Sequence, residues 1–76
     1  MHLKPNIDIM EFLKKIPKCE SDVYFETPDG DILVLSSALS QYIFCSIINQ
    51  PELLQSGVIR LVKSTDKRLL SEFLCD

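Results

Sequence analysis

Ser36–Pro51, SSALSQYIFCSIINQP, holds no charged residue in a chain whose charged fraction is 25%. An uncharged, largely apolar stretch of helical length belongs against other elements and away from water. Ser36 or Ser37 supplies a capping side chain, and the pattern predicts a helix from about Ala38 to Ile48. At 100° per residue Leu39, Tyr42, Ile43 and Ile47 share one face with Ser46, and this is the face expected to be buried. Cys45 is placed with this core helix. Phe44 and Ile48 fall on another side, near Ser37 and Gln41, and form a second apolar stripe.

The segment before it, Asp22–Leu35, reads DVYFETPDGDILVL, and its charged residues are all acidic. Val23, Phe25 and Thr27 alternate with Tyr24 and Glu26, the period of a half-buried strand. Pro28-Asp29-Gly30-Asp31 is turn chemistry: proline presets its backbone angle and glycine accepts a left-handed one. Ile32–Leu35 is apolar on both sides, so the second strand of this hairpin is expected to be the more interior.

The flanks carry clear punctuation. Asp8 and Glu11 have capping-box spacing, and Ile9, Phe12, Leu13 and Ile16 recur on one helical face until Pro17 stops the helix. Pro51–Gly57 reads as one further helical turn. Val58–Lys63 alternates as a third strand, with Ile59 and Leu61 on one face and Arg60 on the other. Ser64 opens a last helix with Leu69, Leu70, Phe73 and Leu74 as its apolar side, and Asp66 near its amino end.

The order α-β-β-α-(short α)-β-α predicts an α+β fold. Between Leu35 and Val58 there is room for a helical crossover, so the expected sheet is a three-stranded mixed one, hairpin plus crossover strand. Three helices should cover mainly one face, leaving Tyr24, Glu26 and Arg60 on the other. With 76 residues the chain is one small globular domain, residues 1–6 expected to be flexible. A chain of this size buries only about 60% of its unfolded surface. Apolar residues at 46% speak against disorder.

Chemistry is sparsely signalled. Cys19, Cys45 and Cys75 form no CxxC pair, and His2 is the single histidine, so neither a zinc site nor a cysteine nucleophile with its base is assembled from the sequence. Glu26, Asp29 and Asp31 cluster at the hairpin tip but lack the spacing of a calcium loop. No cofactor, no metal and no enzymatic activity are expected. The start MHLKPNID lacks an apolar signal core and no run approaches a membrane span, which implies a cytoplasmic protein with reduced thiols.

Two surfaces could bind. Lys14, Lys15 and Lys18 end the first helix, while Arg60, Lys63, Lys67 and Arg68 gather around the third strand and last helix. If these converge, they form a basic patch for nucleic acid despite the net charge of -3. The Phe44 and Ile48 stripe, with Tyr24 on the sheet, is the alternative: a contact surface for a protein partner or a second copy.

The hairpin-to-helix block DVYFETPDGDILVLSSALSQYIF and the ending KSTDKRLLSEFL resemble a family of small transposon-encoded proteins carried on conjugative transposons of clostridia and other gut Firmicutes. The resemblance runs from about Met10 to Leu74. It implies a bacterial cytoplasm and an accessory role on a mobile element, and it carries over no catalytic residue. The hairpin with Asp-Gly in its turn, leading into a capped apolar helix, is also similar to BTB/Skp-type adaptor domains, as shared architecture. The expected function is therefore a small accessory protein acting by protein–protein contact, with nucleic-acid binding as the alternative.

Overall fold

The computed structural model describes residues 1–47 and 49–75. Its elements run β1 (His2–Leu3), α1 (Ile9–Lys15), β2 (Val23–Glu26), β3 (Ile32–Val34), α2 (Ala38–Ser46), α3 (Pro51–Ser56), β4 (Val58–Leu61), α4 (Ser64–Leu70) and β5 (Leu74–Cys75). Short 3₁₀ turns follow α1 and α4. The α+β class and the internal order agree with the sequence pattern.

The sheet has the order β3-β2-β4 and every pairing in it is antiparallel. The mixed sheet expected from the crossover is corrected here. The connection from β3 through α2 and α3 passes over β2 and sets β4 on the far edge of β2. β4 thus runs in the direction of β3 without touching it. The order also makes β2 the central strand and β3 an edge, the reverse of what the doubly apolar Ile32–Leu35 run suggested.

Side chains alternate across the three strands as their register requires. Phe25 lies between Leu33 and Ile59, and these face the helices; Tyr24 lies between Val34 and Arg60 on the opposite, helix-free side. Tyr24, Glu26 and Arg60 therefore sit where the alternation put them. Between the sheet and the helices, all four phenylalanines meet. Phe44 lies 5.2 Å from Phe25 and 6.2 Å from Phe12, and Phe12 lies 5.5 Å from Phe73, centroid to centroid. The pairs are tilted or edge-on, the geometries that aromatic quadrupoles favour.

Within residues 1–6, expected to be flexible, Met1–Lys4 pair with other parts of the domain. His2 pairs with Cys75 and Leu3 with Leu74, and Leu3 is buried. The Ile59 N–H donates to the Met1 carbonyl (2.7 Å), so the outer edge of β4 is occupied. The His2 Nδ1 lies 2.9 Å from the Gly57 carbonyl oxygen, a bond its ring makes in the Nδ1–H tautomer. Gly57 itself presses flat on the Phe25 ring, and a Cβ there would overlap the ring atoms. Only glycine lets α3 turn into β4 at that point.

Candidate interaction surface

Two helices show how local sequence sets the surface. In α1 the Asp8 carboxylate caps the first turn, accepting from the N–H groups of Met10 (3.1 Å) and Glu11 (3.2 Å). Glu11 pairs with Lys14, and Phe12 and Leu13 turn inward. In α2 the capping position is Ser37, but its hydroxyl makes no capping bond; the Ser36 hydroxyl instead donates to Asp22 (2.9 Å). The Gln41 amide donates to the Leu35 carbonyl (2.7 Å), tying the inward side of α2 to the end of β3.

That bond marks which way α2 is rolled, and the roll overturns the expected burial. Phe44 is 0% exposed and belongs to the core, so its assignment to a partner surface is withdrawn. Ile48, its proposed companion, lies outside the described residues. The face expected to be buried looks outward: Leu39 is 70% exposed and Tyr42 76%, with Ile43 also exposed and only Ile47 partly buried. Cys45, placed in the core by the sequence, is exposed. The physical reason is shape. Phe44 completes a four-ring cluster, and burying one phenylalanine removes roughly 150–250 Å² from water with added ring-to-ring attraction.

The outward face of α2 continues onto its neighbours. On one flank Tyr42 and Cys45 border a shallow groove shared with Met10 and Leu13 of α1. On the other, Ile43 and Ile47 border a groove of about 420 Å³ shared with Ile32 and Leu33 of β3 and Leu53 of α3. Asp29 and Asp31 stand at its rim. Exposed apolar side chains thus run from Met10 across α2 to Ile43. No charged residue interrupts α2 itself. Tyr24 is half-buried on the opposite sheet face and is not part of this strip.

The basic residues are held differently. Lys14 faces Glu11, Lys15 faces Glu72, Arg60 faces Glu26 (2.7 Å) and Lys63 faces Glu20 (3.5 Å). Lys15 also lies 5.4 Å from the Phe73 ring centroid. Lys18, Lys67 and Arg68 are exposed. Four of the seven cations grouped by the sequence thus stand beside a carboxylate.

Asp66 was read as a helix-end charge and does more. It is only 2% exposed, and its two oxygens accept from the N–H groups of Glu20 (2.7 Å) and Ser21 (3.0 Å). It fastens the loop between α1 and β2. Burial, and secondarily this carboxylate, push the Cys19 thiol above its ordinary value. A raised thiol pKa lowers the thiolate fraction and with it the nucleophilicity of Cys19. Among the described residues no cluster of three or more His, Cys, Asp or Glu side chains could hold a metal, and no helix is long and apolar enough to cross a membrane.

No protein-family model, curated protein or solved structure matches the chain.

Proposed function

We propose that this chain is a small interaction module that works by protein–protein contact through the outward face of α2. The accessory role on a mobile genetic element suggested by its resemblance is the context in which we place it. One observation carries the reading: the two most exposed large apolar side chains among the described residues, Leu39 and Tyr42, lie close together on a helix without charge. Water contacts along such a face are unfavourable, and covering it with a partner recovers roughly 25 cal/mol per Å² of apolar area. Tyrosine is also among the residues that most often anchor interfaces. Nucleic-acid binding by Lys14, Lys15, Lys18, Arg60, Lys63, Lys67 and Arg68 has less support, because acidic partners sit against Lys14, Lys15, Arg60 and Lys63.

The test is paired capture from the source cells with the unaltered protein and with a Leu39→Glu/Tyr42→Glu double variant. Both side chains are exposed, so the variant keeps its fold, which circular dichroism checks. A partner retained by the unaltered protein should be lost at least tenfold in the variant. In the reconstituted complex, amide exchange should slow along α2. Equal retention by both proteins, or protection confined to other elements, would refute the reading.

A further inference from the structure

We infer that the groove between the hairpin tip, α2 and α3 receives an extended segment of a partner protein, carrying one apolar anchor side chain flanked by lysine or arginine. This rests on the interaction-module reading and specifies the partner's chemistry. Three observations converge on the groove. Leu33, Ile43, Ile47 and Leu53 line it with the edge of β3 at Ile32, and its volume of about 420 Å³ is of a size to seat a large side chain with its adjoining backbone.

Its rim is acidic and unneutralised. The carboxylates in the described ion pairs all belong to glutamates (Glu11, Glu20, Glu26 and Glu72), and neither Asp29 nor Asp31 is among them. The tip that carries these aspartates is fixed in place. The Thr27 N–H donates to the Asp31 carbonyl (2.8 Å), the Asp31 N–H to the Thr27 hydroxyl (3.1 Å), and Gly30 holds a φ of 93°. A positively charged flank on the incoming segment is the complement this rim calls for.

The third observation is the backbone of β3. Hydrogen bonds between β2 and β3 join residues 27 to 31 and 23 to 35, so alternation along the antiparallel ladder turns the N–H and C=O of Ile32 and Val34 away from β2. The Val34 carbonyl is already taken by the Ser37 N–H (2.9 Å). Among the described residues Ile32 has no such partner, and it stands beside the groove. An extended segment can pair there while its anchor drops into the groove. Among the described residues the open edge strand of a second copy, β3, would bring its own Asp29 and Asp31 against this acidic rim. β4 combines apolar residues with a cation, but its outer edge is filled by Met1.

The test uses a labelled heptapeptide, Ser-Lys-Val-Phe-Val-Lys-Ser, and its counterparts with both lysines changed to glutamate or with phenylalanine changed to alanine. Anisotropy gives affinity and amide chemical shifts give location. The lysine peptide should bind at least tenfold more tightly than either counterpart and should shift Ile32, Ile43 and Leu53. Asp29→Lys/Asp31→Lys should reverse the preference for flank charge. Absence of binding at millimolar peptide, indifference to flank charge, or shifts elsewhere would overturn the assignment. Partner capture separates the two readings. A partner kept by Asp29→Lys/Asp31→Lys but lost by Leu39→Glu/Tyr42→Glu would sink the groove assignment and leave the α2 surface standing. A partner lost by the former pair should accompany the peptide result.

Discussion

α1 and α2 press phenylalanines into the same cluster, yet they meet water in opposite ways. α1 turns Glu11, Lys14 and Lys15 toward solvent or its surface and hides Phe12 and Leu13. α2 has no charge to turn outward, so it hides Phe44 and leaves Leu39 and Tyr42 in water. In α1 the cap and the Glu11–Lys14 pair are internal to the helix, while Lys15 reaches across to Glu72 and ties the helix's charged side to the surface. The roll of α2 is set by one ring fitting between two others. A helix with charges is oriented by what must stay wet, whereas one without them is oriented by its best packing partner, and any surplus apolar surface is left for contact.

The sharpest way to break this contrast is to cut both faces of α2. Phe44→Ala should cost about 3–5 kcal/mol. A single core in so small a chain supplies roughly that much in total, so the variant should be largely unfolded in urea titrations. Leu39→Ala and Tyr42→Ala should each change stability by less than about 0.5 kcal/mol, as exposed positions do. The reverse ranking would mean that α2 is rolled the other way.

The exit from α1 gives the next largest effect. Asp66→Asn replaces one acceptor with a donor facing a partly buried backbone N–H and should cost about 1–3 kcal/mol. A midpoint unchanged in the same titration would show that the loop at Glu20 and Ser21 does not depend on that carboxylate. The caps differ more subtly. Asp8→Ala should cost about 1 kcal/mol because it removes a made bond, and Ser37→Ala a few tenths because its hydroxyl makes none. Equal costs would erase the difference between the two helix starts.

The cysteines give the mildest probe. Cys45 on α2 should be alkylated first at neutral pH, and Cys19 beyond α1 slowly, as site-resolved mass spectrometry can follow. The sign for stability follows from the raised Cys19 value. Below the ordinary thiol pKa both folded and unfolded chains are protonated. Between that value and the raised one, only the unfolded chain ionises, so stability falls as pH rises through this window. Cys19 reacting as fast as Cys45 would contradict its burial.

Much of the framework was legible because it is written in local signals. Asp8 before an apolar period, Pro-Asp-Gly between alternating runs and Pro51 opening a turn each determine backbone geometry within a few residues. The roll of α2 was not legible, because counting apolar residues favoured Leu39, Tyr42, Ile43 and Ile47 over Phe44. Phe44 shares its side of the helix with the polar Ser37 and Gln41. Gln41 is polar there because the Leu35 carbonyl needs a donor, a requirement visible only once β3 is in place. The position of β4 and the use of Met1–Leu3 were hidden for a related reason: both depend on partners distant in sequence. The groove could not be anticipated either, since it joins a hairpin tip to two separate helices.

The ribbon of β1 and β5 has a consequence for synthesis. Leu3 cannot pair with Leu74 until β5 has been made, so this ribbon closes after β4 in the order of synthesis. Until Met1 docks, the outer rung of β4 at Ile59 lacks its cover, and a bare strand rim invites pairing with another polypeptide. Docking of Met1–Leu3 is therefore also the step that shields the newborn molecule from its neighbours.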